Sequence, residues 1–292
     1  MTDQALDRSV VVGVIGAGAM GAGIAQIAAQ AGHRVRLFDN RMGAADQAQA
    51  KIATTLAALA AKGKLAPADA EAAAARIVPV HALGDFVSAG LVIEAIVEDL
   101  DVKRRLLREL EVVVAPGAIL ATNTSSLSIT ALAAGLKRPG RVVGMHFFNP
   151  APVLPLVEVV SGIATDAQVA AVVHATAAAW GKVPVHATST PGFIVNRCAR
   201  PFYAEALRLL AERAADPATL DALMREAGGF RMGPFELMDL IGHDVNFAVT
   251  KGVWEACFHD PRFTPSVHQQ ELVNAVFLGR KSGRGFYDYQ GA

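Results

Sequence analysis

The sequence predicts an α/β fold: a doubly wound, mostly parallel sheet with an inserted helical hairpin, followed by a smaller all-α domain. Three observations carry this. Short apolar segments of strand length alternate with helical ones as far as His186, an alanine-rich stretch interrupts them early, and beyond Thr188 to Gly192 the pattern turns helical. We therefore place residues 1–189 in the sheet domain and 190–292 in the helical one.

Val10 to Ile15 reads as the first strand, because a β-branched apolar run bounded by glycine suits a buried strand. Ala22 to Ala31 follows as a helix and Arg34 to Phe38 as the second strand. Gly43 to Ala75 carries Lys62-Gly63-Lys64 and Pro67 near its middle and reads as helix, turn and helix. Strands recur at Ile77 to Val80, Leu91 to Ala95, Ile119 to Thr122, Val142 to Met145, Leu156 to Val160 and Val183 to His186. The later ones lie closer together, so some antiparallel pairing is expected there. Leu127 to Leu136 reads as a helix. In the second domain, Phe193 to Arg213 is a long helix kinked at Pro201, Asp216-Pro217 supplies a cap and first-turn proline, and Pro234 opens another helix. Val245 to Phe258 and Val267 to Leu278 complete it, and only the Phe286-Tyr287 tail regains strand character.

Composition excludes several classes. With 27 basic and 27 acidic residues among 292, no overall field favours nucleic acid or a membrane surface. The first positions, with Asp3 and Asp7, lack the basic and long apolar regions of a secretory signal, and no apolar run approaches the roughly 20 residues of a membrane span. Cys198 and Cys257 are the only cysteines and lie far apart, so reduced thiols are expected instead of a disulfide or metal site. Together these readings predict a cytoplasmic protein without a metal.

The first strand runs into Gly16-Ala17-Gly18-Ala19-Met20-Gly21, the arrangement that grips a dinucleotide pyrophosphate. Gly16 permits the tight turn, Gly18 lets backbone approach the phosphates, and Gly21 lets the helix pack close on the strand while its N-terminus faces the anion. Ala19 and Met20 lie between the last two glycines. Asp39 ends the second strand, where a carboxylate accepts bonds from ribose hydroxyls and selects NAD. Arg41, just beyond, could hold a 2′-phosphate, but Asp39 would repel the same group.

Asn123-Thr124-Ser125-Ser126 follows a strand, at the edge where doubly wound sheets bind ligands. A hydroxyl there could reach the cofactor's reactive end; alternatively, Ser126 or Ser128 caps the next helix. His146 follows Val142 to Met145 in a loop of bulky apolar groups, and an imidazole there could take a hydroxyl proton as hydride leaves the same carbon. The alternative is a satisfied core histidine. Glu158, among Leu156 to Val160, needs a buried partner: either His146, whose ring it would orient, or a structural arginine. Asn196 opens the first long helix of the second domain, as a group aimed at a cleft or as a helix-start cap.

In order and over nearly the whole chain, Gly16 to Ala25, Ile93 to Glu98, Asn123 to Ser126, His146 to Pro150, Leu156 to Val160 and Pro191 to Arg197 resemble the 3-hydroxyacyl-CoA dehydrogenases, the short-chain 3-hydroxybutyryl-CoA type most of all. The resemblance implies NAD as cofactor, an acyl-CoA substrate and a homodimer built on the helical domain. It implies a catalytic set of Ser125, His146, Glu158 and Asn196, with Ser125 and Asn196 holding the substrate oxygen. It places Glu98, Lys103, Asn149 and Lys281 near the nicotinamide half of the cofactor, and Lys62 against a coenzyme A phosphate. Gly228 to Leu237 is similar to the variant found in enzymes acting on 3-hydroxyadipyl-CoA. Arg231 within it either meets a distal carboxylate or faces solvent.

Two other functions compete. A dehydrogenase of a non-CoA hydroxy acid or sugar acid shares the architecture; the branch with a lysine on the interdomain helix is disfavoured because Pro191 to Arg213 has none, whereas the L-gulonate and lambda-crystallin type keeps the histidine motif. A non-catalytic NAD-binding protein is opposed by the complete set of Ser125, His146, Glu158 and Asn196.

Overall fold

A computed structural model describes residues 4–290; Asp3 lies outside them. The chain divides between Thr190 and Pro191 into two compact units. The first contains, in order, β1 (Val11–Ile15), α1 (Ala19–Gln30), β2 (Val35–Phe38), α2 (Ala44–Ala61), α3 (Pro67–Ala75), β3 (Ile77–Pro79), β4 (Ala89–Glu94), α4 (Leu100–Val113), β5 (Ile119–Thr122), α5 (Ile129–Ala133), β6 (Val142–Phe147), β7 (Leu156–Ser161), α6 (Ala167–Ala179) and β8 (Val183–Thr188).

The strands form one sheet in the order β3-β2-β1-β4-β5-β6-β7-β8. β1 to β6 pair in parallel, β7 runs antiparallel to β6, and β8 is parallel to β7. From β1 the chain first moves outward to β2 and β3, then returns to β4 on the other side. That reversal is the switch point at which carboxyl strand ends open a ligand crevice. Val12, Val14, Leu37, Leu91 and Ile93 fill the sheet side of the core, against which α1 buries Ile24, Ala25, Ala28 and Ala29.

Each predicted strand is present, with ends moved by a residue or two. Two segments need correction. His146 belongs to no loop: β6 extends through Phe147, because His146 and Phe147 pair with Glu158 and Val157 on β7. The helix expected over Leu127 to Leu136 shrinks to α5, since the Ser128 side chain caps it at the start and Gly135, at φ +81°, lies just past its end. The hairpin of α2 and α3 turns at Lys62-Gly63-Lys64 as the glycine at φ +68° requires.

The second unit holds α7 (Val195–Ala211), α8 (Pro217–Glu226), α9 (Pro234–Ile241), α10 (His243–Ala256) and α11 (Val267–Asn274) around Tyr203, Leu207, Phe235 and Met238. Asp216 accepts from the Thr219 amide at 2.8 Å and Pro217 starts α8, as expected of a cap and first-turn proline. The Phe286-Tyr287 tail makes only isolated bridges nearby, Gly279 with Arg284 and Arg284 with Asp288. It is held by buried carboxylates instead. Asp239 accepts from the Phe286 and Tyr287 amides and the Tyr289 hydroxyl, each at 3.0 Å, and Asp221 from the Tyr287 hydroxyl at 2.7 Å. Among the described residues no helix is long and apolar enough to cross a membrane.

Candidate active site

The glycine turn has the shape that a pyrophosphate needs. Gly16 sits at φ +100°, and a Cβ there would lie 2.5 Å from the Ala95 carbonyl oxygen. One on Gly21 would lie 1.7 Å from the Gly16 oxygen, so both positions exclude any side chain. At Gly18 the opposite holds: a Cβ would meet nothing within 4 Å. Gly18 is also the N-cap of α1, with no side chain bonded across the amides of that first turn, which begins at Ala19 and Met20. Open space in front of an uncapped helix start fits the phosphates of NAD.

Asp39 ties this turn to the end of β2, since its Oδ2 accepts from the Ala17 amide at 2.8 Å. Its Oδ1 accepts from the Arg41 amide at 2.9 Å and from Arg41 Nε at 3.0 Å. Burial pushes the carboxyl up, but the Arg41 side chain and the two amides outweigh it and hold it below the usual carboxylate value. Arg41 is thus engaged with the acid, and the carboxylate keeps lone pairs for ribose hydroxyls. Asp39, Phe38, Arg41 and His81 line a cavity of about 470 Å³ at this edge. A larger one of about 550 Å³, between the end of α1 and Trp180 to Lys182, holds none of the predicted site residues.

At the ends of β4 and β5 lies a polar network that the sequence showed only in part. Glu94 is fully buried; its Oε1 accepts from Lys103 Nζ at 2.5 Å and from the Ile96 amide at 2.7 Å, and its Oε2 from the Thr122 hydroxyl at 2.7 Å. Lys103, on the first turn of α4, is as buried and lies 3.2 Å from Glu98 Oε2. Glu98 Oε1 gathers the serine loop, accepting from the Thr124 hydroxyl at 2.5 Å, the Ser125 amide at 2.9 Å and the Ser126 hydroxyl at 3.2 Å. Burial pushes Glu98 up, yet Lys103 and these donors hold it below its ordinary value. Asn123 Oδ1 accepts from the Phe147 amide at 2.9 Å, which fixes β5 to the end of β6. The helix cap is Ser128, which accepts from the Ala131 amide at 3.2 Å, so Ser125 and Ser126 belong to the loop.

His146 and Glu158 occupy paired positions on β6 and β7. Nδ1 lies 2.7 Å from Glu158 Oε2, with the acid fully buried and the imidazole nearly so. Glu158 therefore has a histidine partner, not an arginine. The contact makes Nδ1 the protonated nitrogen and Nε2 the basic one. Phe148 packs its ring 4.4 Å from the imidazole centroid. Asn149, exposed on the following loop, precedes Pro150 through a cis bond.

Of the remaining residues, Lys62 belongs to the first unit and Asn196, Arg231 and Lys281 to the second. Lys62 is exposed at the C-cap of α2. Asn196 is the second residue of α7, past the cap position, and its Oδ1 lies 3.4 Å from Arg200 Nη2. Lys281 sets its Nζ 2.5 and 2.7 Å from the two Asp244 carboxylate oxygens. Arg231 faces solvent. Sequence reasoning passed over Glu94, although its setting after Leu91-Val92-Ile93 is the signal that singled out Glu158; it also passed over Arg200.

The NAD binding domain of 3-hydroxyacyl-CoA dehydrogenase matches residues 11–190, and the C-terminal domain of the same family matches 192–289. The chain is 52% identical to the 3-hydroxyadipyl-CoA dehydrogenase of Escherichia coli over 96% of its own length, and spans 59% of that relative. It is 42% identical to a probable 3-hydroxybutyryl-CoA dehydrogenase of Deinococcus radiodurans, covering 95% of this chain and 99% of the other. The crystal structure of (S)-3-hydroxybutyryl-CoA dehydrogenase from Ralstonia eutropha superposes with a TM-score of 0.92 at 40% identity, over 96% and 99% of the two chains. The chain belongs to the 3-hydroxyacyl-CoA dehydrogenase family.

Proposed function

We propose that the protein is an NAD-dependent dehydrogenase that interconverts a (3S)-3-hydroxyacyl-CoA and the 3-oxoacyl-CoA. The observation that carries this is the buried His146–Glu158 pair, at 2.7 Å, on strands beside the serine loop. NAD, when bound, supplies the acceptor for the hydride that leaves C3. His146 Nε2 takes the hydroxyl proton, and Glu158 stabilises the imidazolium and fixes the ring. Ser125 and Asn196 hold the substrate oxygen, and Gly16, Gly18, Ala19, Met20, Gly21 and Asp39 hold the adenine-nucleotide half of the cofactor. Glu98, Lys103, Asn149 and Lys281 serve the nicotinamide side, and Lys62 meets a coenzyme A phosphate. In the reverse direction the same imidazolium returns its proton to the carbonyl oxygen.

Short acyl chains, 3-hydroxybutyryl or 3-hydroxyadipyl, are the substrates in this reading, as the names of the relatives suggest. We assign the protein to the cytoplasm, supported by Cys198 and Cys257 being free thiols, and to a homodimer through the helical unit. Leu240, Ile241 and Val245, all exposed on that unit, supply apolar area for a partner copy. The test is a steady-state assay with acetoacetyl-CoA and NADH, comparing the unsubstituted protein with His146→Ala. Turnover that disappears in the variant while NADH binding persists is expected. Cofactor binding without turnover on any acyl-CoA would overturn the reading.

A further inference from the structure

The helical unit buries a cation that no carboxylate among the described residues pairs within 4.0 Å. Arg200, on α7, is 3% exposed. Its Nη1 donates to the Asn246 carbonyl at 3.0 Å and the Thr250 hydroxyl at 2.9 Å, and its Nη2 to Asn196 Oδ1 at 3.4 Å. The Tyr203 ring lies 4.8 Å from the guanidinium carbon. Among the described residues no carboxylate stands within 4.0 Å of it. The other buried arginine, Arg141, has Glu111 at 3.5 Å. Burial pushes Arg200 down to about 10, with only Tyr203 opposing. A desolvated charge without a partner is costly, and such groups persist where a ligand completes them.

Two buried donors in the same layer lack acceptors. Arg200 Nε has no hydrogen-bond partner, nor has Nδ2 of Asn246, whose carbonyl already receives Arg200. Nη2 carries a second N–H beyond the one directed at Asn196. Nε–H together with an Nη2–H forms the side edge of a guanidinium, the edge that takes both oxygens of a carboxylate in a bidentate pair. A neutral ligand group could accept one of these bonds but would leave the charge unpaired.

We infer that Arg200 recognises a carboxylate at the far end of the acyl chain, so that the substrates are ω-carboxy 3-hydroxyacyl thioesters. This rests on the dehydrogenase reading above, with Asn196 at the C3 oxygen. Arg200 lies four residues beyond Asn196, a little over one helical turn or about 6 Å along α7. Three carbon–carbon bonds separate C3 from the terminal carboxyl of a six-carbon dicarboxylic chain, a comparable span. Arg231, the arginine suggested by sequence, faces solvent and has no such setting.

The experiment compares kcat/KM for 3-hydroxyadipyl-CoA and 3-hydroxyhexanoyl-CoA, equal in chain length and differing in the terminal group. The unsubstituted protein is expected to favour the dicarboxylic substrate at least tenfold, and Arg200→Gln to collapse that ratio toward one. Arg200→Lys, which keeps the charge without the fork, should retain part of it. Binding of adipyl-CoA against hexanoyl-CoA to the unsubstituted protein gives the same comparison without turnover or substitution. A ratio near one in the unsubstituted protein, or a ratio preserved in Arg200→Gln, overturns the assignment. Failure of both substrates to react while NAD binds would instead defeat the dehydrogenase reading.

Discussion

Glu158 faces His146 directly across the β6–β7 ladder, Oε2 to Nδ1 at 2.7 Å, with both side chains out of solvent. A register slip of one residue would send the two to opposite faces of the sheet, so the antiparallel pairing itself holds the pair together. Glu158→Gln keeps the shape, but its amide can donate to Nδ1 and select the wrong tautomer. We expect kcat to fall by about 10²- to 10⁴-fold with KM for the acyl-CoA nearly unchanged. Rapid-mixing kinetics with NADH absorbance would check this, and an unchanged kcat would remove Glu158 from the mechanism.

The glycine turn allows folding and cofactor binding to be separated. A side chain on Gly18 enters open space, so Gly18→Val should leave stability within about 0.5 kcal/mol while raising KM for NAD at least tenfold by occupying the place of a phosphate. Gly21→Ala puts a methyl against the Gly16 oxygen and should destabilise by about 1–3 kcal/mol before any effect on the cofactor. Urea titration beside NAD titration measures both. Equal stability losses in the two variants would contradict the distinction.

The sheet was legible because its strands are continuous apolar runs with glycine or charged punctuation, which is how strands covered on both faces read. His146 was singled out from the sequence, but its place was not: pairing with β7 turned an expected loop residue into a strand residue, and no local pattern records a partner twelve positions on. Glu94 was missed although it lies in a setting like that of Glu158, because its partner Lys103 sits on the polar-looking first turn of α4 and was read as a cofactor contact. Arg200 was invisible for a related reason. In sequence it stands beside Cys198 and Pro201 on an amphipathic helix, and only packing against α10 reveals that it is buried without an acid.

The Glu94–Lys103 pair makes a prediction about stability. Both groups are essentially buried, and among the described residues Lys103 is the only cation within 4.0 Å of the acid. Lys103→Met would leave the Glu94 carboxyl buried without its cation and supported only by the Thr122 hydroxyl and the Ile96 amide. Removing one member of such a pair costs about 3–5 kcal/mol, so the variant should unfold at markedly lower denaturant concentration. The double variant Lys103→Met with Glu94→Gln should recover part of that loss, since it removes the stranded carboxyl. No recovery would mean that Lys103 acts mainly through Glu98.

Acid should loosen the helical unit through Asp239. Burial raises this carboxyl, but His243, the Phe286 and Tyr287 amides and the Tyr289 hydroxyl outweigh it and hold it below the ordinary value of 3.8. A carboxyl depressed in the folded state contributes stability that is complete above its unfolded value and is lost as pH falls through the folded one. The loss in this unit should therefore begin near pH 4 and deepen below it. Asp239→Asn removes the charge that the tail amides and His243 address, so it should destabilise the unit by on the order of 3 kcal/mol at neutral pH and flatten its acid limb. Trp180 and Trp254 are the only tryptophans, one in each unit, so Trp180→Phe leaves Trp254 as a fluorescent reporter of the helical unit alone. If unfolding followed through Trp254 shows the same acid slope with and without Asp239→Asn, the carboxylate is not what ties the tail down.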